Sequence, residues 1–85
     1  MAYRVELLPA VRREFRAFDS LARERILRAL VKLETDPRPA GAKKLAGHED
    51  LWRIRVGDYR VVYEIHDRIL VVLIVRIAHR REAHR

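Results

Sequence analysis

Tyr3, Val5 and Leu7 alternate with Arg4 and Glu6, the two-residue period of a half-buried strand. Pro9 stops that strand and suits a first helical turn, where its missing N–H costs little. Val11, Phe15 and Phe18 follow at spacings of four and three, which predicts a short amphipathic helix. Asp19 and Ser20 interrupt it, and either can cap a second helix through a side-chain oxygen. That helix runs to about Thr35, with Ala22, Ile26, Leu30 and Leu33 on one stripe and Leu27 and Val31 beside it. The two helices form a hairpin.

Asp36-Pro37-Arg38-Pro39-Ala40-Gly41 permits neither a continuous helix nor a central strand and reads as a loop. Leu51–Val56, Tyr59–His66 and Ile69–Ala78 are rich in β-branched or aromatic residues, and Gly57-Asp58 and Asp67-Arg68 separate them at hairpin distance. The order is βααβββ: an α+β fold with a helical hairpin packed on one face of a mainly antiparallel sheet. The 85 residues are expected to form a single domain, 1–85, since a chain this short has room for one core.

With Gly57 and Asp58 as a two-residue turn, Val56 pairs with Tyr59, Arg55 with Arg60, Ile54 with Val61 and Arg53 with Val62. Alternation then places Arg53, Arg55 and Arg60 on one face and Trp52, Ile54, Val56, Val61 and Tyr63 on the other. Directly opposed like charges destabilise a sheet by some tenths of a kcal/mol up to about 1 kcal/mol. Such a placement makes sense if an anion sits between them, and the planar guanidinium fork can grip two phosphate oxygens. The alternative is an exposed face whose arginines splay into water or pair with Glu64.

Charge extends this picture. The net charge is +7, and residues 38–85 carry 11 basic against 6 acidic side chains, so the C-terminal half holds most of the positive field. A polyanion is the expected partner, and nucleic acid suits it better than an anionic lipid surface. The tail Ile77-Ala-His-Arg-Arg-Glu-Ala-His-Arg85 adds Arg80, Arg81 and Arg85 with His79 and His84, whose imidazoles can exchange protons near neutral pH. A plain basic terminus is the competing reading.

Other chemistries find no foothold. There is no cysteine, and His48, His66, His79 and His84 are not at metal-ligand spacing, so neither a metal nor an organic cofactor is expected. No apolar run reaches the roughly 20 residues of a membrane span, and the first residues do not form a signal peptide, so a cytoplasmic protein with no membrane partner is expected. Gly-rich phosphate loops, nucleophile elbows and paired catalytic carboxylates are missing as well. RNA can still be cut, because its 2′-OH is the attacking group and the protein need only orient it, stabilise the phosphorane and move protons.

Three stretches carry a family resemblance: Lys43-Lys44-Leu45-x-Gly47, then Leu51-Trp-Arg-Ile-Arg-Val-Gly-Asp-Tyr-Arg-Val-Val-Tyr63, then Val75-x-Ile77-x-His79-Arg80-Arg81-Glu82. Together they resemble the RelE pattern of the RelE/ParE toxin superfamily over essentially the whole chain. The resemblance implies the βααβββ fold, cleavage of messenger RNA in the ribosomal A site through the 2′-OH, and inhibition by a RelB-like antitoxin in a hetero-oligomer. It places the basic catalytic pair on Arg53 and Arg55, the arginine that stabilises the scissile phosphate on Arg60, and a second phosphate contact on Arg80 or its neighbour Arg81. Lys43 and Lys44 would contact RNA. His84 stands where many relatives have a tyrosine and would take part in proton transfer. A ParE-like toxin that binds DNA gyrase without nuclease chemistry, or an inert interaction module, would share the fold.

Overall fold

The computed structural model describes residues 2–47 and 50–81. Strand β1 (Arg4–Leu7) leads into α1 (Pro9–Ala17) and α2 (Ser20–Thr35), followed by β2 (Lys43–Lys44), β3 (Leu51–Val56), β4 (Tyr59–His66) and β5 (Val71–His79). The sheet order is β1-β5-β4-β3-β2, with β1 and β5 parallel and every other pair antiparallel. The expected α+β architecture is present. The two-residue edge strand β2 is an addition to it.

Local chemistry accounts for the helix boundaries. Pro9 starts α1, and Asp19, not Ser20, caps α2 by accepting a 2.8 Å hydrogen bond from the Ala22 N–H. The Arg23 guanidinium donates to the backbone carbonyls of Phe18 and Arg16, covering acceptors that the end of α1 leaves open.

One core joins the layers. Val11 of α1 and Ile26, Leu30 and Leu33 of α2 are buried against Ile54, Val61, Tyr63, Ile65, Val72, Ile74 and Ile77 of the sheet. Truncating a residue such as Leu33, which is fully buried, to alanine costs roughly 2–5 kcal/mol through lost burial and the cavity left behind. Leu27 and Val31, beside the buried stripe of α2, are each 53% exposed.

The last turn also differs from expectation. Residues Asp67–Leu70 all belong to the turn, Leu70 adopts a left-handed φ of 54°, and β5 therefore starts at Val71 instead of Ile69. No helix among the described residues is long and apolar enough to cross a membrane.

Candidate functional site

The β3–β4 hairpin turns on Gly57-Asp58. Gly57 has φ +58° at the first central position, a conformation that fits a type II′ turn and that glycine adopts without a Cβ penalty. The turn fixes the ladder as Val56↔Tyr59, Arg55↔Arg60, Ile54↔Val61 and Arg53↔Val62, the register expected from the sequence. Ile54, Val61 and Tyr63 are buried beneath the helices, so Arg53, Arg55 and Arg60 share the opposite face.

Two further cations join them. Lys43 pairs with Arg53 across β2 and β3, which puts both side chains on the same face. Lys44 pairs with Trp52, so the structure turns it to the other side and separates it from Lys43. Arg76 comes from β5, where a bulge between Val62 and Tyr63 pairs Tyr63 with Ile74 but Val62 with Arg76. Strict alternation from Val72 and Ile74 would send Arg76 toward the helices. The extra residue, Val75, reverses the phase, so that Ile77 enters the core and Arg76 is exposed beside Val62. Arg76 escaped the sequence reading for that reason. The spacing of three between the apolar core residues Ile74 and Ile77 was the available signal.

Ion pairs among the described residues engage Arg4, Arg28, Arg38, His66 and Arg80, and none of Lys43, Arg53, Arg55, Arg60 or Arg76. The acids on the strands of this face, Glu64 and Glu6, lie on the side of the Arg53 row away from the turn. There Glu64 accepts a 2.8 Å bond from His66, and Glu6 lies 2.7 Å from Arg4. On the strands nearer the Gly57-Asp58 turn, Lys43, Arg53, Arg55, Arg60 and Arg76 make a cationic field that an anion can neutralise.

Arg80 is held beside that turn. Its N–H donates to the Asp58 carbonyl at 2.6 Å, and its guanidinium lies 3.8 Å from the Asp58 carboxylate. His79, Arg80, Arg81 and Asp58 line a shallow cleft. His79 pairs with Tyr59, its ring edge-on at 5.2 Å, and its Nδ1 accepts the Arg81 N–H at 3.2 Å. Tyr59 in turn packs on Phe18 of the helical layer at 4.9 Å, so the His79 ring lies on the helix side of the sheet, away from the arginine face. His84 lies outside the described residues.

The loop that delivers Lys43 is clamped to the sheet. Arg38 donates to Asp67 through two contacts of 2.9 and 3.3 Å and stacks over Trp52 with its guanidinium carbon 5.3 Å from the ring centre. The Tyr3 hydroxyl donates to the same carboxylate at 2.6 Å. The hydrogen bond from Arg38, then that from Tyr3, lowers the Asp67 pKa from 3.8 to about 2. Beneath the loop, the Tyr63 hydroxyl donates to the Pro37 carbonyl at 2.8 Å, and burial pushes its pKa up to about 12. Arg38 is therefore a structural cation, distinct from the exposed set beside Arg55 and Arg60.

A face of this kind can bind adjacent phosphates and stabilise charge on a pentacovalent phosphorane. The chain is also similar to known proteins. A family model described as the ParE toxin of the type II toxin–antitoxin system parDE matches residues 5–84. The mRNA interferase toxin RelE of Escherichia coli is 31% identical over 85 residues, covering 98% of this chain and 88% of the relative. The RelE of the archaeal RelE–RelB complex from Pyrococcus horikoshii superposes with a TM-score of 0.84 at 32% identity, covering 94% of this chain and 97% of that one. A chain of the intact E. coli RelBE toxin–antitoxin complex gives 0.81 at 30% identity, with 92% and 96% covered. The chain belongs to the RelE/ParE superfamily of type II toxins, and to its RelE branch.

Proposed function

We propose that this protein is the toxin of a type II toxin–antitoxin pair and an mRNA interferase, a ribosome-dependent endoribonuclease that cleaves messenger RNA through the RNA's own 2′-hydroxyl. The observation that carries this reading is the shared face of Arg53, Arg55 and Arg60, left without a carboxylate partner among the described residues. The name of the 31% identical relative supports the same activity.

In this reading Arg60 stabilises the negative charge that grows on the scissile phosphate. Arg53 and Arg55 hold the phosphate and the attacking and leaving oxygens, and Arg80 takes a neighbouring phosphate. Arginine keeps its proton at any working pH, so these four side chains orient and neutralise while the proton shuttle falls to another group, for which His84 is the candidate. A cognate RelB-like antitoxin holds the toxin inactive by covering the cationic face with acidic side chains. The RelE–RelB complexes among the structural relatives support such a partner.

The ParE-like alternative, a gyrase-binding toxin without nuclease chemistry, has the description of the matching family model on its side, but the named relatives and complexes favour RelE. Mapping mRNA cuts after incubation with translating ribosomes separates them. Discrete cuts in the A-site codon are expected; intact mRNA together with inhibited gyrase supercoiling would reverse the assignment.

A further inference from the structure

Four strands contribute one transverse row to the cationic face: Lys43 of β2, Arg53 of β3, Val62 of β4 and Arg76 of β5 are successive partners across the sheet. The next row toward the hairpin turn holds Arg55, Arg60 and Ala78. Residues two apart on a strand lie about 6.8 Å apart along it, so the two rows are offset by roughly the spacing of consecutive backbone phosphates in an extended single strand. Arg53 and Arg76 flank Val62 at about 5 Å per strand, close enough for two guanidinium groups to reach a single anion above the valine.

The bulge is what makes this row. It interrupts the β4–β5 ladder, and bulges commonly re-aim a side chain beside a site. Here it exposes a cation that regular pairing would bury, and it does so on the face that already carries four others. We propose that Arg76, with Lys43, forms a second phosphate-binding row that grips the RNA backbone one nucleotide away from the phosphate held by Arg55 and Arg60, with Arg53 standing between the two phosphates and within reach of either. The inference rests on the reading of the protein as an RNA-cleaving toxin and adds a residue that sets how the substrate is held. Arg76 acts on binding. It is one row removed from the reacting atoms, so its loss weakens substrate capture and leaves the chemical step in place.

The test is single-turnover cleavage on programmed ribosomes at several toxin concentrations and two salt concentrations, with wild type, Arg76→Ala, Arg76→Lys and, as a control from the β4–β5 turn, Arg68→Ala. Arg76→Ala is expected to raise the half-saturating concentration about 3- to 10-fold at low salt, with a plateau rate within about twofold of wild type. The gap should narrow at high salt, because one fewer phosphate contact releases fewer counterions. Arg76→Lys should recover most of the loss, and Arg68→Ala should match wild type. Thermal melting shows that the variants are folded. An Arg76→Ala protein with unchanged half-saturation, or one whose defect is confined to the plateau rate, overturns the proposal while leaving the nuclease reading intact. Wild-type protein that cuts nothing overturns both.

Discussion

Arg55 and Arg60 stand directly opposite one another across the β3–β4 ladder, two full positive charges on neighbouring strands of the same exposed face. A cross-strand pair of this kind costs the fold some tenths of a kcal/mol up to about 1 kcal/mol. In the proposed reading their placement exchanges stability for an anion site, and that exchange is measurable. Arg55→Glu turns a repulsive pair into an attractive one. It is expected to raise the melting temperature by a few degrees at low salt, with a smaller rise at high salt, and to abolish mRNA cleavage. Equal melting temperatures in the two proteins at low salt would show that the arginines splay apart without cost.

Arg60 answers a different question, because its proposed role lies in the transition state. Arg60→Ala is expected to slow single-turnover cleavage by roughly 10²-fold or more while ribosome binding changes little. Matched loss of binding and rate would mean that Arg60 serves capture, as proposed for Arg76. The two variants together therefore divide the face into a part that holds RNA and a part that stabilises the reaction.

The clamp of Arg38, Tyr3 and Asp67 predicts an acid-side dependence of stability. The Asp67 pKa is about 2 when folded against the ordinary 3.8, so the folded state favours its ionised form. That contribution is fully present above pH 3.8 and is lost as the pH falls from 3.8 toward about 2. Denaturant midpoints measured down this range should fall more steeply for wild type than for Asp67→Asn, which cannot ionise. Parallel curves would show that the clamp contributes nothing through charge.

Tyr63 works in the opposite direction. Burial raises its pKa from 10 to about 12, so its neutral hydroxyl is favoured in the fold and the contribution is lost as the pH rises through this interval. Tyr63→Phe removes both that alkaline loss and the bond to Pro37, at a cost near neutrality of about 1 kcal/mol. The checks are urea denaturation at neutral pH and at the alkaline limit.

How far the sequence reveals this molecule depends on whether each constraint is local. A two-residue turn with glycine in the left-handed region fixes a register by itself, so Arg53, Arg55 and Arg60 could be placed on one face from the sequence. Arg76 could not, because the bulge that exposes it depends on how β4 and β5 meet. Lys43 and Lys44 show no alternation over two residues, so the strand they form, and the turning of Lys44 away from Lys43, follow from pairing with β3. The exposure of Leu27 and Val31 was not legible for a related reason. Helical periodicity identifies apolar stripes but not which of two adjacent stripes the sheet will cover.

Proton transfer gives the last prediction. Cleavage through the 2′-OH needs one proton removed from the nucleophile and one supplied to the departing 5′-oxygen, tasks that suit an imidazole better than a guanidinium. Two histidines near the C-terminus are candidates, and the structure describes one of them, His79. His79 packs edge-on against Tyr59 on the helix side of the sheet, and its Nδ1 is occupied by the Arg81 N–H. Reaching a phosphate on the arginine face would require that packing to break. His84 is the remaining conventional shuttle in this part of the chain, four residues beyond Arg80. His84→Ala is therefore expected to lower the single-turnover rate by about 10²- to 10⁴-fold and flatten its dependence on pH near neutrality. His79→Ala should instead lower thermal stability and change the rate by less. His84→Tyr, which restores the residue the wider RelE pattern carries, should keep measurable activity with a shifted pH profile. If deletion of residues 83–85 leaves both the rate and its pH profile unchanged, His84 has no part in proton transfer, and the shuttle belongs to the ribosome or to a lysine of this face such as Lys43.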